Sequence, residues 1–339
     1  MRLLLVGAFP YPHHQGSQVY FQEQAIALRA AGAEVVLLTY GPADDAPLAD
    51  LDRWRALDGF VHHTIPRDAR PRSAASGPSL AKPRADLALR RTLLDAIASK
   101  RAEGASFDVI MTHNIEACVI ALSLRRALVN ARVPIVYCVH TLLRHELSAY
   151  LKPFQNNHLE MDAGDWNPMP GRVRRVIDGV GRRLDAFAAA QVDGWIALTQ
   201  SAERVMQTRR RAPGRVIPPP LPDPRHRFFD EPTGRRIPSE PYFLYAGNLD
   251  GYQELPLLEA AARRLATHSA SPRIVLASFD PAVAAPERGW APGIEPRHVT
   301  SEGEMQALAA QARATLVPRL AVGGFPIKLA NSLAVGTPS

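Results

Sequence analysis

Apolar residues fall into short unbroken runs, separated by segments long enough to form helices. The runs in the first half are 2–8, Glu34–Thr39, 108–112, 134–139 and 194–199. Strands that are buried on both faces of a parallel sheet have this unbroken apolar pattern. Helical patterns at 18–31, at 86–101 and from Ser201 fill some of the intervals, and Gly32 suits a helix end. The alternation predicts an α/β, doubly wound parallel sheet.

The pattern is interrupted near residue 216 and then resumes. The segment 216–224 contains five prolines, which lack the amide donor that a helix needs. Apolar strands are predicted again at 242–246, 273–277 and 315–317, with a helix at 306–314. We therefore expect two α/β domains, 1–212 and 213–339, joined by a hinge, with a ligand cleft between them. The Pro-, Ser- and Gly-rich stretch 70–84 is predicted to be a loop.

Composition indicates a globular protein without a membrane span. The chain has 339 residues, of which 46% are hydrophobic and 22% charged, and no apolar run approaches the roughly 20 residues that a membrane helix needs. The apolar start is too short for a secretory signal. Cys118 and Cys138 both lie in apolar stretches, which predicts buried thiols in a reducing cytoplasm.

The net charge of +7 has two readings. Only four of the 40 basic residues are lysines, and arginine together with abundant alanine and proline is typical of GC-rich coding sequence. The alternative is attraction to anionic phosphates, in a lipid leaflet or a nucleotide. Nucleic-acid binding is the weakest option, because no motif of aromatic and basic residues accompanies the charge.

Candidate polar residues follow the predicted strands. His113 and His140 each come directly after an apolar run, and Gly16 and Ser17 precede the first helix. The carboxyl ends of parallel strands form the usual ligand edge of a doubly wound sheet. Gly16 alone is equally compatible with an ordinary turn, since no G-x-G-x-x-G or Walker pattern is present. His145 lies five residues after His140, but no third ligand follows at a recognisable spacing, so no metal site is predicted.

The segment 323–338 carries the most specific pattern. It reads GGFPIKLANSLAVGTP, a glycine turn before a helix of about ten residues that Gly-Thr-Pro closes. Free amides at a helix N-terminus suit a diphosphate, and Lys328 in the first turn adds a positive charge.

This segment resembles the E-G-F-G-x-P-x-x-E-A-M-A-x-G-T-P signature of glycosyltransferase family 4, whose members have the GT-B fold. Three further stretches resemble the family: 9–12 with Gly16 its N-terminal loop, 215–219 its hinge strand, and 245–253 its G-[RN]-L-x-x-x-K segment. The resemblance implies two Rossmann-like domains facing a central cleft. It also implies a retaining transfer of a sugar from a nucleotide-diphosphate donor, with the acceptor on the first domain.

The resemblance also assigns roles to residues. His140 matches the histidine near the transferred sugar and is the predicted catalytic residue. Gly16, with Ser17 and His113, is expected beside the donor phosphates. The remaining donor-binding residues are expected to be Gly247, Asn248, Gln253, Gly324, Phe325, Pro326, Ile327 and Lys328 at the diphosphate, and Asn331 at the ribose. No metal or separate cofactor is implied, because the nucleotide sugar is a co-substrate.

Several positions depart from the family pattern. Its paired glutamates fall on Gly323 and Asn331, and its phosphate-binding arginine and lysine fall on Asn248 and Gln253. Lys328 is the candidate replacement for one lost cation. Family members usually continue past this point, so the donor domain is expected to be incomplete. These departures support an alternative: a non-catalytic nucleotide-sugar-binding or partner subunit. An epimerase is less favoured, because its additional carboxylates were not found.

The segment 172–187 has an amphipathic helical pattern. The residues on its apolar side are Val173, Val176, Ile177, Val180, Leu184 and Phe187, and the arginines across from them are Arg172, Arg174, Arg175, Arg182 and Arg183. This pattern suits either a helix on anionic lipid or a helix packed on the sheet, and the packed helix is favoured. By resemblance we expect a cytoplasmic enzyme of polysaccharide or glycoconjugate assembly. Its acceptor would be a glycan or lipid-linked, and a peripheral contact with the inner face of an anionic membrane remains open.

Overall fold

A computed structural model describes residues 1–13, 15–43, 58–71, 82–125, 133–150, 171–207, 212–220, 238, 240–250, 253–268, 272–318 and 324–339. The chain forms two compact units. The first comprises Met1–Ser148, Arg175–Pro218 and Gly323–Phe325. The second comprises Ala149–Arg174, Pro219–Val322 and Pro326–Ser339.

The first unit contains a sheet of seven parallel strands in the order β3-β2-β1-β4-β5-β6-β7. The strands are β1 (Arg2–Gly7), β2 (Glu34–Thr39), β3 (Val61–Thr64), β4 (Val109–His113), β5 (Ile135–Val139), β6 (Gly194–Ala197) and β7 (Gly214–Val216). Chain order reverses direction in the sheet between β1 and β4, which is where doubly wound folds bind ligands.

Six helices accompany this sheet in the described sequence. They are α1 (Gly16–Ala30), α2 (Lys82–Ala102), α3 (Ile115–Ser123), α4 (Leu143–Tyr150), α5 (Gly171–Gln191) and α6 (Gln200–Gln207). Alternate residues of the central strands enter two separate cores. Leu4 and Val6 join one core, whereas Leu3 and Leu5 join the other. Both faces of the sheet are therefore buried, which confirms the prediction from the unbroken apolar runs.

The second unit contains four parallel strands in the order β10-β9-β8-β11. They are β8 (Tyr242–Ala246), β9 (Arg273–Ser278), β10 (Ile294–His298) and β11 (Ala314–Thr315). The helices described here are α7 (Leu255–Leu265), α8 (Glu302–Gln311) and α9 (Ile327–Ala334). Apolar cores lie on both sides of this sheet as well, so the α/β pattern does restart in the second half.

The elements that the sequence missed lie mainly at sheet edges. Among the strands these are β3 and β10, and β10 contains Pro296, which an edge strand tolerates. The edge strand β7 overlaps the hinge strand that the resemblance implied at 215–219. The helix predicted at 306–314 was misplaced, because α8 begins at Glu302 and its chain enters β11 at Ala314. β7 lies just past residue 212, the predicted end of the first domain, and yet pairs with β6 in the sheet of the first unit. Of the predicted loop 70–84, residues 72–81 lie outside the described sequence.

Helix α5 contacts the first unit through small and acidic residues. Gly181, Asp185, Ala188 and Ala189 are buried, and an added Cβ on Gly181 would lie only 2.6 Å from Arg144 Cα. Most of the large apolar side chains of α5 do not lie on this buried face and are exposed to solvent. The expectation that they pack on the sheet is therefore wrong, because the close approach to α4 selects the small-residue face.

No helix within the described ranges is both long enough and apolar enough to cross a bilayer.

Candidate functional site

Two of the predicted residues meet at the carboxyl edge of the first sheet. Gly7 at the end of β1 is in register with His113 at the end of β4, and His113 is in register with Cys138 of β5. His140 follows β5 directly. The β1–β4 switch point and the end of β5 thus bring both histidines to the edge where ligands bind in such sheets.

The two imidazoles are hydrogen-bonded to each other. His113 Nδ1 and His140 Nε2 are 2.9 Å apart, and both side chains are buried. Aromatic rings from α1 hold them in place. Tyr20 packs edge-on against His140 with 5.2 Å between ring centroids, and Phe21 does so against His113 at 4.8 Å. The sequence analysis did not identify Tyr20 and Phe21 as site residues. Their position one turn into α1, after the candidate residues Gly16 and Ser17, could have indicated that they lie near the site.

Burial keeps both imidazoles neutral. Desolvation lowers the pKa of His140 to about 4, and desolvation with the neighbouring His140 lowers the pKa of His113 well below its ordinary value. His113 Nε2 is buried and has no hydrogen-bond partner within the described chain. An unpaired buried N–H is rarer than an unpaired acceptor, which favours a proton on His113 Nδ1. His140 then accepts through Nε2 and carries its own proton on Nδ1.

The segment after His140 is anchored by α5. Asp185 accepts hydrogen bonds from the backbone amides of Leu143 at 2.9 Å and Arg144 at 3.3 Å, and from Arg144 Nε at 3.0 Å. Its buried carboxylate therefore caps the N-terminus of α4. Sequence reasoning missed this residue, because nothing local connects it to the histidine 45 positions earlier.

The predicted glycine and serine before the first helix lie in its first turn. Gly16 and Ser17 are the first two residues of α1, and Ser17 Oγ donates to Gln18 Oε1 at 2.6 Å. The N-cap, Gln15, makes no side-chain capping hydrogen bond.

Gly324 belongs to the first unit and contacts the segment that carries His140. Its φ is +56°, a conformation that side chains other than glycine rarely adopt. An added Cβ would lie 2.5 Å from Thr141 Cγ2 and 2.9 Å from the His140 carbonyl oxygen. Both backbone conformation and space therefore require glycine at this position.

In the second unit the structure brings together four predicted donor-binding residues. Lys328 Nζ donates to Gln253 Oε1 at 2.7 Å, and Gln253 Nε2 donates to Asn248 Oδ1 at 2.7 Å. Lys328 Nζ also lies 3.0 Å from the position that a Cβ would take on Gly247. These residues come from the end of β8, the segment before α7 and the first turn of α9. We call this group the lysine cluster: Gly247, Asn248, Gln253 and Lys328.

Neighbouring groups hold the ammonium and the amides in position. Lys328 Nζ lies over the Tyr245 ring, 4.2 Å from its centroid, and the Tyr245 hydroxyl donates to the Asn248 carbonyl oxygen at 2.6 Å. Asn248 Nδ2 donates to Asp250 at 2.6 Å. Asn248 and Gln253, the positions that the resemblance matches to the family's two cations, are thus linked to Lys328.

The remaining predicted residues lie at or near the start of α9. Phe325 and Ile327 are half-buried, Pro326 is the residue before the helix, and Asn331 is exposed one turn after Lys328. Gly323 lies outside the described residues. Over the ranges that the structure describes, no group of three His, Cys, Asp or Glu side chains is arranged to hold a metal ion.

Comparisons with known proteins identify the family. A sequence model described as Glycosyltransferase Family 4 matches residues 14–223, more than half of the chain. The chain belongs to glycosyltransferase family 4. This confirms the resemblance seen in the sequence, although the match does not include the segment 323–338. A comparison with curated proteins found no match.

Solved structures of similar fold include glycosyltransferases. Sucrose-phosphate synthase from Thermosynechococcus elongatus is 14% identical with a TM-score of 0.68, and the match covers 99% of this chain and 80% of that one. WaaG, a glycosyltransferase involved in lipopolysaccharide biosynthesis, is 15% identical with a TM-score of 0.58, covering 99% and 80%. Anabaena HepE in complex with UDP and glucose is 13% identical with a TM-score of 0.61, covering 100% and 79%. The family-4 chain therefore has the GT-B fold with two Rossmann-like units, as predicted.

Proposed function

We propose that this family-4 chain transfers a sugar from a nucleotide-diphosphate-sugar donor to a glycan or lipid-linked acceptor with retention of configuration. The observation that carries the proposal is the lysine cluster, in which an ammonium group is held beside Gly247 at the end of a parallel strand. The complexes of HepE with UDP and with UDP-glucose support a nucleotide-sugar donor. We propose a role in polysaccharide or glycoconjugate assembly on the cytoplasmic side of a membrane.

In the proposed reaction the lysine cluster supplies positive electrostatic potential at the diphosphate leaving group. The bond between the anomeric carbon and the diphosphate oxygen breaks, and a bond from that carbon to the acceptor oxygen forms on the same face. The acceptor's proton passes to the departing phosphate oxygen. Lys328 and the positive end of the α9 helix dipole would stabilise the charge that develops on the diphosphate. In this proposal no metal ion or separate cofactor takes part.

His140 is proposed to lie near the transferred sugar. Because its low pKa keeps the imidazole neutral at physiological pH, its Nδ1–H would act as a hydrogen-bond donor to a sugar hydroxyl rather than as a cation. His113, Gly16 and Ser17 belong to the same edge of the first sheet, and the proposal keeps Gly16 and Ser17 near the donor phosphates.

The test compares variants of Lys328 in donor binding and turnover. Calorimetry with UDP- and GDP-sugars, followed by a donor-hydrolysis or transfer assay, should show kcat lowered at least tenfold in Lys328→Ala. A charge-assisted hydrogen bond contributes roughly 1.5–3 kcal/mol, equivalent to a factor of about 10–150. Lys328→Arg should recover part of the loss. Lys100→Ala is the matched control, since Lys100 lies on α2 and forms ion pairs with the exposed carboxylates of Glu34 and Glu103. Wild-type turnover in Lys328→Ala would remove the assignment.

A non-catalytic nucleotide-sugar-binding or partner subunit is the second candidate. It is favoured by the uncharged Asn248 and Gln253 at positions where the family carries cations. Binding of a nucleotide sugar by the wild-type chain without hydrolysis or transfer, over the acceptors tried, would support this candidate over the enzyme.

A further inference from the structure

Helix α5 exposes an apolar stripe to solvent. Among the described residues, eleven large hydrophobic side chains are exposed, and five of them lie on this one helix. The α5 stripe consists of Val173, Val176, Val180, Leu184 and Phe187, which are between 36% and 67% exposed. Their spacing of three or four residues places them within an arc of about 80° on the helix. Scattered exposed hydrophobics are normal on a protein surface, but a contiguous row marks an interaction site.

The stripe is bordered by arginines on one side only. Arg172, Arg175, Arg182 and Arg183 are exposed. At 100° per residue Arg172 and Arg183 lie at the edge of the stripe, and Arg175 and Arg182 continue the basic arc round to the far side of the buried face. The buried face, with Gly181 and Asp185, lies on the other side of the stripe. Helix α5 therefore has three strips in order around its circumference: a buried face, an exposed apolar stripe and an exposed basic flank.

The three strips of α5 match the surface of an anionic lipid bilayer, in which an anionic headgroup layer covers an apolar interior. An interfacial helix buries its apolar face about 5–10 Å into the headgroup and acyl boundary while basic side chains contact lipid phosphates. Long arginine side chains reach such phosphates from beside an apolar face. The apolar stripe and the basic flank are adjacent on α5, as this geometry requires.

A second copy of the chain fits the surface less well. Pairing two α5 helices would bring together two helices that each carry five arginines and two aspartates, so like charges would repel. Five partly exposed side chains also offer less than the roughly 800 Å² per partner that a stable protein interface buries. Charge complementarity thus favours an anionic partner.

We infer, resting on the proposed transfer to a glycan or lipid-linked acceptor, that the α5 stripe and its arginine flank dock the protein on the headgroup region of an anionic lipid bilayer. Because Asp185 of the same helix caps the segment that follows His140, the docked helix is continuous with the anchor of the proposed sugar site. The partner is the lipid surface itself rather than free phosphate.

The experiment is co-sedimentation of the full chain with vesicles of phosphatidylcholine alone or mixed with phosphatidylglycerol. The wild type should bind the anionic vesicles at least tenfold more tightly than the neutral ones, and binding should weaken with salt. Val176→Asp/Leu184→Asp and, separately, Arg172→Gln/Arg183→Gln, the two arginines that border the stripe, should each lower binding at least tenfold. Inorganic phosphate at millimolar concentration should not compete.

Control variants carry the same kinds of substitution on α2, with one aspartate in place of two. Leu87 is 49% exposed there, and Arg91 and Arg101 are exposed, so Leu87→Asp and Arg91→Gln/Arg101→Gln alter hydrophobicity and charge without touching α5. These controls should bind vesicles like the wild type. Equal loss in the control and α5 variants would overturn the inference, as would competition by free phosphate.

Two further measurements separate the possible failures. Sedimentation velocity shows whether the chain is a dimer that Val176→Asp/Leu184→Asp dissociates; that result would overturn the lipid docking in favour of a second copy. Calorimetry with UDP-glucose on the same α5 variants should give wild-type binding. No vesicle binding with intact nucleotide binding would overturn the docking alone, whereas vesicle binding without any nucleotide binding would count against the proposed function alone.

Discussion

At the residue level, the main feature of the first unit is the pair of neutral histidines, His113 and His140. His113 is completely buried, so under the proposed function it would act through His140, as a positioning residue. By donating from Nδ1 to His140 Nε2, it would fix both the ring orientation and the tautomer of His140. This is the logic by which an enzyme holds a polar group ready before the substrate arrives.

Removing the His113 imidazole should impair turnover more than folding. We expect His113→Ala to lower kcat at least tenfold, because the buried Nε2 of His140 loses its partner and the ring can turn. His113→Asn should recover most of the loss, since its amide can donate from near the position of Nδ1. The measurement is the pH profile of kcat for the three proteins. A purely structural role would change the unfolding midpoint but leave the shape of the profile in all three unaltered.

Lys328 illustrates how far a residue can be understood from the sequence. Its place in the first turn of a helix after a glycine turn was visible in the sequence and predicted a phosphate-binding charge. That Gln253 orients this charge and that Tyr245 lies beneath it required the tertiary structure, because 75 residues separate Lys328 from Gln253.

At the scale of elements, α5 connects a buried anchor with an exposed surface. Its small residues approach α4 closely and its Asp185 carboxylate satisfies the amides at the start of α4. The large apolar residues that a helical wheel would assign to the core remain in solvent. Helical periodicity alone cannot decide which face packs inward when both a small-residue face and an apolar face are available.

The cap on α4 should contribute measurably to stability. We expect Asp185→Ala to lower the free energy of unfolding by about 2–4 kcal/mol, because the partly buried amides of Leu143 and Arg144 and the Arg144 guanidinium lose a charged partner. Asp185→Asn keeps one acceptor oxygen and should cost less. Urea unfolding measures the difference. Asp95→Ala, an exposed position on α2, is the control, and an equal effect at Asp95 would contradict the capping role.

Central and edge strands differ in how well the sequence predicts them. The central strands β1, β2, β4 and β5 are apolar on both faces and were predicted within a residue or two. The edge strand β3 reads Val-His-His-Thr and is half-buried or exposed, so it carries little pattern. Edge strands are stabilised by their one neighbour, and that pairing is not visible in local sequence.

At the scale of the whole molecule, the buried histidines make stability depend on pH. Burial lowers the pKa of His140 to about 4 and that of His113 well below its ordinary value. The unfolded chain takes up protons on these groups below about pH 6.5, and the native protein does so only at a much lower pH. The free energy of unfolding therefore decreases as the pH falls from 7 towards 4.

Urea unfolding at pH 7, 6 and 5 measures this dependence. We expect the free energy of unfolding to decrease by about 2 kcal/mol or more between pH 7 and pH 5. His113→Asn should have a shallower dependence, because one buried imidazole is gone. His268→Gln, which changes an exposed side chain on the second unit, should have the wild-type dependence. If the free energy of unfolding of His113→Asn depended on pH as steeply as that of the wild type, the pH dependence could not be assigned to the histidine pair.

The α/β class, the restart of the pattern after the proline-rich segment and the family could all be inferred from the amino-acid sequence. These properties depend on local features: unbroken apolar runs, glycine turns and a signature that lies within sixteen residues. The folded structure was needed to show that two histidines share a hydrogen bond, that Lys328 is held by Gln253 and that α5 leaves its apolar stripe exposed to solvent. Each of these depends on which surfaces meet when distant segments pack. Local patterns report what a segment can bury, whereas packing selects what it does bury.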